Sequence, residues 1–177
     1  PVKLILRQRD GKIIVMGCND TGDDISIDLR VGWVTFDGTE DDSQVVPVTL
    51  PANSRTVLYT LEQADHDIYT GVYYARADNG CISPGILRAA DTRRLKLCPP
   101  KPPKLSIMAV RNDGGDLLID IKADTYCHGV YLAPTSDWKL SDNYFDMLPG
   151  EIRSIRVYGG AGKEFELKTV GLDFGSY

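Results

Sequence analysis

Histidine is almost missing from this chain: among 177 residues only His66 and His128 carry an imidazole. Neither lies beside a serine flanked by glycines, the strand-to-helix elbow that presents a nucleophile. A Ser-His-Asp hydrolase is therefore not expected, and both histidines are read as surface or turn residues. Cysteine is scarce too. Cys18, Cys81, Cys98 and Cys127 show no CxxC spacing and no histidine pair nearby, which argues against zinc. With 42% apolar residues the core does not need stapling, so buried free thiols are expected in place of a disulfide framework. No glycine-rich phosphate loop opens a helix, and no cofactor is expected. No apolar run approaches the roughly 20 residues that span a bilayer, so no membrane partner is expected. No signal peptide is expected from the first residues. Positive charge is in deficit, 20 Lys and Arg against 25 Asp and Glu, for a net charge of -5. Arg93, Arg94 and Lys96 are too few to neutralise a phosphate backbone, which excludes nucleic acid as a partner. The chain opens on Pro1 rather than Met, as expected for a piece of a longer protein.

What the sequence has in plenty is period-two alternation. Lys12 to Val15 leads into the turn cluster Asn19-Asp20-Thr21-Gly22. Ile25, Ile27, Leu29, Val31 and Trp33 then alternate with Ser26, Asp28 and Arg30, giving one apolar face and one wet face. Asp37-Gly38 closes that strand. Val45 to Leu50 and Arg55 to Thr60 are strands separated by Pro51-Ala52-Asn53-Ser54. Tyr69 to Ala77 and Ile82 to Leu87 are expected to form a hairpin around Asp78-Asn79-Gly80. Pro99-Pro100-Lys101-Pro102-Pro103 cannot donate to a ladder and reads as a semi-rigid linker. Beyond it, Leu105 to Val110, Asp116 to Lys122, Gly129 to Leu132, Ile152 to Val157 and Phe165 to Leu167 form a second strand series, with a turn at Asn112 to Gly115. The expectation is all-β: a sandwich over 1–98, a linker over 99–104 and a smaller sandwich over 105–177.

Few residues invite chemistry. Glu40-Asp41-Asp42 with Asp37 offers oxygen ligands for calcium, but the EF-hand spacing is absent and a solvated loop is the simpler reading. Asn19-Asp20-Thr21 fits the N-glycosylation pattern, a motif short enough to recur by chance. Trp33 shares parity with Leu29 and Val31 and should be core, although a bulge at Gly32 would turn it outward. Trp138 sits in a loop, and Tyr73 and Tyr74 point to opposite faces of a strand, so one of them should be wet. Trp138 and Tyr74 are the candidate sugar contacts; no catalytic or metal-binding residue is assigned.

Asp142-Asn143-Tyr144-Phe145-Asp146-Met147-Leu148-Pro149-Gly150-Glu151 resembles the DNYFDLLPGE-like run of the C-terminal immunoglobulin-like domain of glycoside hydrolase family 2 β-mannosidases, departing from it only at Met147. Gly129-Val130-Tyr131-Leu132 is similar to that domain's preceding strand. Upstream, Cys18-Asn19-Asp20-Thr21, Phe36-Asp37-Gly38 and Val48 to Ser54 resemble the sandwich that comes before it in the same family. The resemblance implies two consecutive immunoglobulin-like sandwiches that follow a (β/α)8 barrel. That barrel holds the two glutamates of a retaining mechanism, about 5 Å apart. In that family the acid/base follows an asparagine. Here asparagines are followed by Asp20, Ser54, Gly80, Asp113 and Tyr144, never by glutamate. The implied role is non-catalytic support of a β-mannosidase barrel, an exo-β-mannosidase ahead of an endo-acting mannosidase or an exo-β-glucosaminidase relative. Its implied partners are that barrel, the other domains of the same chain and mannose-containing glycans. A free-standing carbohydrate-binding module and a cell-surface interaction module are the alternatives.

Overall fold

A computed structural model describes residues 2–78, 82–90, 104–134, 139–162, 164–169 and 172–176, with backbone alone at 41, 134 and 172–176. The chain divides into two compact units, Pro1–Lys96 and Leu97–Tyr177. The proline cluster expected to link them lies outside the described residues.

The first unit contains β1 (Val2–Arg9), β2 (Lys12–Asn19), β3 (Ile25–Thr35), β4 (Glu40–Leu50), β5 (Ser54–Glu62), β6 (Gly71–Ala77) and β7 (Gly85–Leu87). They form two antiparallel sheets, ordered β1-β2-β5 and β4-β3-β6-β7. Alternation sends Leu4, Leu6, Ile13, Val15 and Leu61 of one sheet and Ile27, Leu29, Val31, Trp33 and Tyr73 of the other into one core, so the unit is a sandwich. β1 is an addition to the expected strands. Its Leu4-Ile5-Leu6 run hides the period, because Ile5 turns outward while both leucines are buried. Asp10 and Gly11, at φ 51° and 72°, join Arg9 to Lys12 in a two-residue hairpin, a connection for which Asp-Gly is suited. β6 and β7 pair with Ala75 opposite Gly85. That register is centred on Gly80 as expected, but the ladder begins well back from the turn, whose residues 79–81 lie outside the described set.

The second unit contains β8 (Leu105–Asp113), β9 (Asp116–Ala123), β10 (Cys127–Pro134), β11 (Lys139–Leu140), β12 (Phe145–Met147), β13 (Ile152–Tyr158), β14 (Phe165–Thr169) and β15 (Leu172–Ser176). Its sheets run β11-β13-β9-β8 and β12-β10-β14-β15. Leu117, Ile119, Ile121, Ile155 and Val157 face Cys127, Val130, Leu132, Met147 and Leu167 across a second buried core. The fold class is all-β with two immunoglobulin-like sandwiches, as expected. β11, β12 and β15 are too short or too irregular for periodicity to have revealed them.

One polar side chain organises an end of the first sandwich. Asn19 is fully buried. Its Nδ2 donates to the carbonyls of Asp23 at 2.8 Å and Leu50 at 3.0 Å, and its Oδ1 accepts from the Thr21 backbone at 3.0 Å and the Thr21 hydroxyl at 2.6 Å. The turn after β2 is thereby tied to the end of β4, and Asn53 N–H closes on Thr21 O at 3.0 Å. This burial corrects the glycosylation reading: the amide is spent inside the protein. Asn19→Ala leaves buried backbone groups unpaired and should cost about 2–3 kcal/mol, seen in urea unfolding as a lower midpoint with unchanged slope. An unchanged midpoint would show that the turn holds without the pin.

Candidate functional site

The family-like run builds one corner of the second sandwich, residue by residue. Asn143 stands in for a strand neighbour: its Oδ1 accepts from Leu132 N–H at 2.9 Å and its Nδ2 donates to Leu132 O at 3.4 Å. Tyr144 takes φ 58°, rare for a bulky residue, and its exposed ring stacks on Tyr131 at 4.9 Å between centroids. Phe145 points the other way into the core, beneath the Arg153 guanidinium at 4.3 Å. Of the two adjacent aromatics, Phe145 is the one inside. Asp146 gathers the Tyr126 hydroxyl at 2.6 Å, His128 Nδ1 at 2.8 Å and Gly129 N–H at 2.9 Å. Those contacts sit where the β10–β12 register shifts between Cys127 and Val130, so the carboxylate satisfies a bulge that the partner strand leaves unpaired. Met147 and Leu148 are buried. Pro149 and Gly150, the latter at φ 76°, complete a turn closed by Glu151 N–H to Leu148 O at 3.0 Å, as a type II turn with proline then glycine at its centre does. Glu151 then returns, accepting from Leu148 N–H at 2.9 Å and pairing with Arg153 at 2.7 Å. This arrangement positions backbone.

In the first unit Trp33 anchors an aromatic cluster. His66 stacks on it at 4.9 Å and 10°, and Tyr73 meets it edge-on at 4.8 Å. Gly71 permits this, since a Cβ there would lie 2.4 Å from Val34 O and 2.7 Å from the indole. The register shift opposite Gly32 falls on β4, which carries the extra residue between Asp41 and Gln44. Trp33 therefore keeps its inward parity and is buried. His66 Nε2 lies 3.3 Å from Asp42 Oδ2. A cavity of about 370 Å³ opens beside this cluster.

The candidates from sequence fare unevenly. Tyr74 is 1% exposed. It lies on the interior strand β6, opposite Gly32, with Arg76 over its ring at 5.5 Å and its hydroxyl 3.3 Å from Ser43. Tyr73 is buried as well, so neither tyrosine is wet, and the exposure a sugar platform requires is not found at Tyr74. Trp138 lies outside the described residues. His66 and His128 are mostly enclosed, at 12% and 20% side-chain exposure, and not free surface groups. The acidic stretch is dispersed among separate partners: Asp37 caps its own turn through Thr35 and Thr39, Glu40 pairs with Arg76, and Asp42 faces His66. No three His, Cys, Asp or Glu side chains among the described residues are grouped to hold a metal. Cys18 and Cys127 are free thiols, while Cys81 and Cys98 fall outside the description.

Two family models match the chain, the mannosidase Ig/CBM-like domain over residues 11–82 and the Ig-fold domain of mannosidases over residues 101–170. Residues 11–82 and 101–170 belong to immunoglobulin-like domain families of the mannosidases. These mannosidase domains share their fold with a β-D-mannosidase from Dictyoglomus thermophilum at 22% identity and TM-score 0.82, over 95% of this chain and 21% of that one. An exo-chitosanase from Amycolatopsis orientalis aligns at 14% identity and TM-score 0.67, over 98% of this chain and 26% of that one. The chain thus spans about a fifth to a quarter of these proteins. No curated protein matches the sequence directly. The domains resemble the non-catalytic part of a glycoside hydrolase.

Two substitutions separate packing from backbone geometry in the family-like run. Phe145→Ala should cost about 3–5 kcal/mol and unfold or severely weaken the second unit while the first stays folded. Gly150→Val meets no steric obstacle, since nothing lies within 4 Å of its Cβ position. Its left-handed φ alone should cost about 1–3 kcal/mol. Thermal unfolding monitored by unit-specific NMR signals checks both; parent-like melting of both variants would contradict the scaffold reading. Burial pushes the Cys127 thiol from 9.0 up to about 12. A raised folded pKa means that its contribution to stability is complete below about pH 9 and is lost as pH climbs towards 12. In native protein at pH 8.5, peptide mapping after iodoacetamide should find Cys18 modified and Cys127 intact; equal labelling would refute its burial.

Proposed function

We propose that the chain is the non-catalytic C-terminal domain pair of a glycoside hydrolase family 2 β-mannosidase, packing beside a catalytic barrel and supporting its active-site rim. The observation that carries this reading is the order of the two family matches, mannosidase Ig/CBM-like domain first and mannosidase Ig-fold domain second. The chemistry is assigned to the barrel, where paired glutamates perform retaining hydrolysis of terminal β-mannosidic bonds. The absence of an Asn-Glu pair from the sequence is consistent with that division of labour. The partners are then the barrel and the other domains of the parent, with residues 99–104 as the linker between modules 1–98 and 105–177. Trp138 remains a candidate contact to mannose-containing glycans.

The purified chain should hydrolyse an aryl β-mannoside no faster than buffer at any pH. In the parent enzyme, Phe145→Ala should lower the temperature of half-inactivation and leave KM unchanged below that temperature. Turnover by the isolated chain that survives repurification and disappears with a point mutation in it would overturn the reading.

A further inference from the structure

We propose that the stacked pair Tyr131 and Tyr144, on the outer face of the second sandwich, is a docking surface for a folded part of the parent polypeptide that lies outside this chain. The partner surface it fits is an uncharged, apolar hollow. The proposal rests on the reading of the chain as part of a longer β-mannosidase and names the side chains through which such packing runs.

Tyr144 stands where its own turn gains least from a tyrosine. Its φ of 58° is a conformation that Gly or Asn adopts readily and a bulky side chain does not. The preceding Asn143, of a type suited to it, is occupied with both backbone groups of Leu132. The strain secures no burial. Tyr144 stays 66% exposed, more than any other large apolar side chain among the described residues. Tyr131 supports one face of the ring, at 4.9 Å between centroids and 16° between planes, and so fixes the direction in which it projects. Backbone strain of this kind collects at functional positions, and a ring held in advance loses little freedom on docking.

The surroundings define the partner. In the β10–β14 ladder Tyr131 lies opposite Lys168 and Ala133 opposite Glu166, so these four share one sheet face. Lys168 and Glu166 pair with each other at 2.7 Å, and on β12 Asp146 pairs with His128 at 2.8 Å. The face thus offers aromatic surface beside charges that meet their opposites, the make-up of a protein interface with tyrosine at its centre and a polar rim. A saccharide is the less suitable occupant, because one ring face is closed by Tyr131 and the flanking carboxylates are engaged. Chain length supplies the protein partner. This chain covers 21% of the β-D-mannosidase and 26% of the exo-chitosanase that share its fold, so most of such a polypeptide lies elsewhere.

Hydroxyl-radical footprinting with peptide mapping compares the 177-residue chain with the full-length parent. Tyr144 should be oxidised freely in the chain and at least about fivefold more slowly in the parent, with the buried Tyr74 slow in both. Tyr144→Asn, which suits the left-handed turn, should leave the melting temperature of the isolated chain equal or higher. In the parent the same substitution should lower the temperature of half-inactivation by at least about 2 °C. Equal oxidation of Tyr144 in chain and parent would overturn the proposal, as would protection already present in the isolated chain or protection that appears only when manno-oligosaccharide is added. A loss of stability as large in the chain as in the parent would overturn it too, since the tyrosine would then serve its own sandwich. Any of these results leaves the ancillary reading standing, because that reading is decided by where the parent's turnover resides and not by Tyr144.

Discussion

Every backbone N–H and C=O that leaves a ladder inside a two-sheet sandwich must find another partner, and this requirement shapes both units. Cores of β-branched and aliphatic side chains supply the driving force, but they do not determine where a loop crosses from one sheet to the other. Asn19 does so in the first unit by engaging Asp23, Leu50 and Thr21 together. Asp146 does so in the second by receiving Tyr126, His128 and Gly129. Asn143 and Glu151 act similarly on Leu132 and Leu148. Such groups contribute little when paired and cost much when orphaned, so each behaves as a condition on the fold more than as a source of stability.

That division accounts for the stretch most like the mannosidase family, which fixes a corner of the second sandwich. From Asp142 to Glu151 every polar side chain is committed to a turn, a bulge or the Arg153 pair. Tyr144 and Asp142 are the side chains turned to solvent. A sequence signature can be specific to a family because it specifies a corner.

Much of the architecture was legible from alternation alone. Ile13 and Val15, Leu29 to Trp33, and Leu117 to Ile121 read as half-buried strands and are so. Period two failed where it had nothing to count. In β1 three apolar residues stand in succession, and β11 and β12 are two and three residues long. The expectation that Tyr73 or Tyr74 would be wet failed because alternation tells which face a residue takes but not what covers that face; Arg76 and Ser43 close over Tyr74. The histidines were misplaced for a related reason. Polar residues in turns are usually solvated, but His66 found an indole and His128 a part-buried carboxylate, long-range contacts that no local pattern encodes. Asn19 was read as a turn former, and only the tertiary contact with Leu50, far along the chain, turns it into a pin.

The claim that polar pins specify these sandwiches is tested most directly by hydrogen exchange on Asp146→Ala. The substitution removes the acceptor shared by Tyr126, His128 and Gly129 while leaving the apolar core untouched. Amides of β10, β12 and β14 should lose protection by about tenfold or more, with β2, β3 and β6 exchanging as in the unaltered chain. Unchanged protection throughout the second unit would mean that the core alone determines the corner, and the account would be wrong.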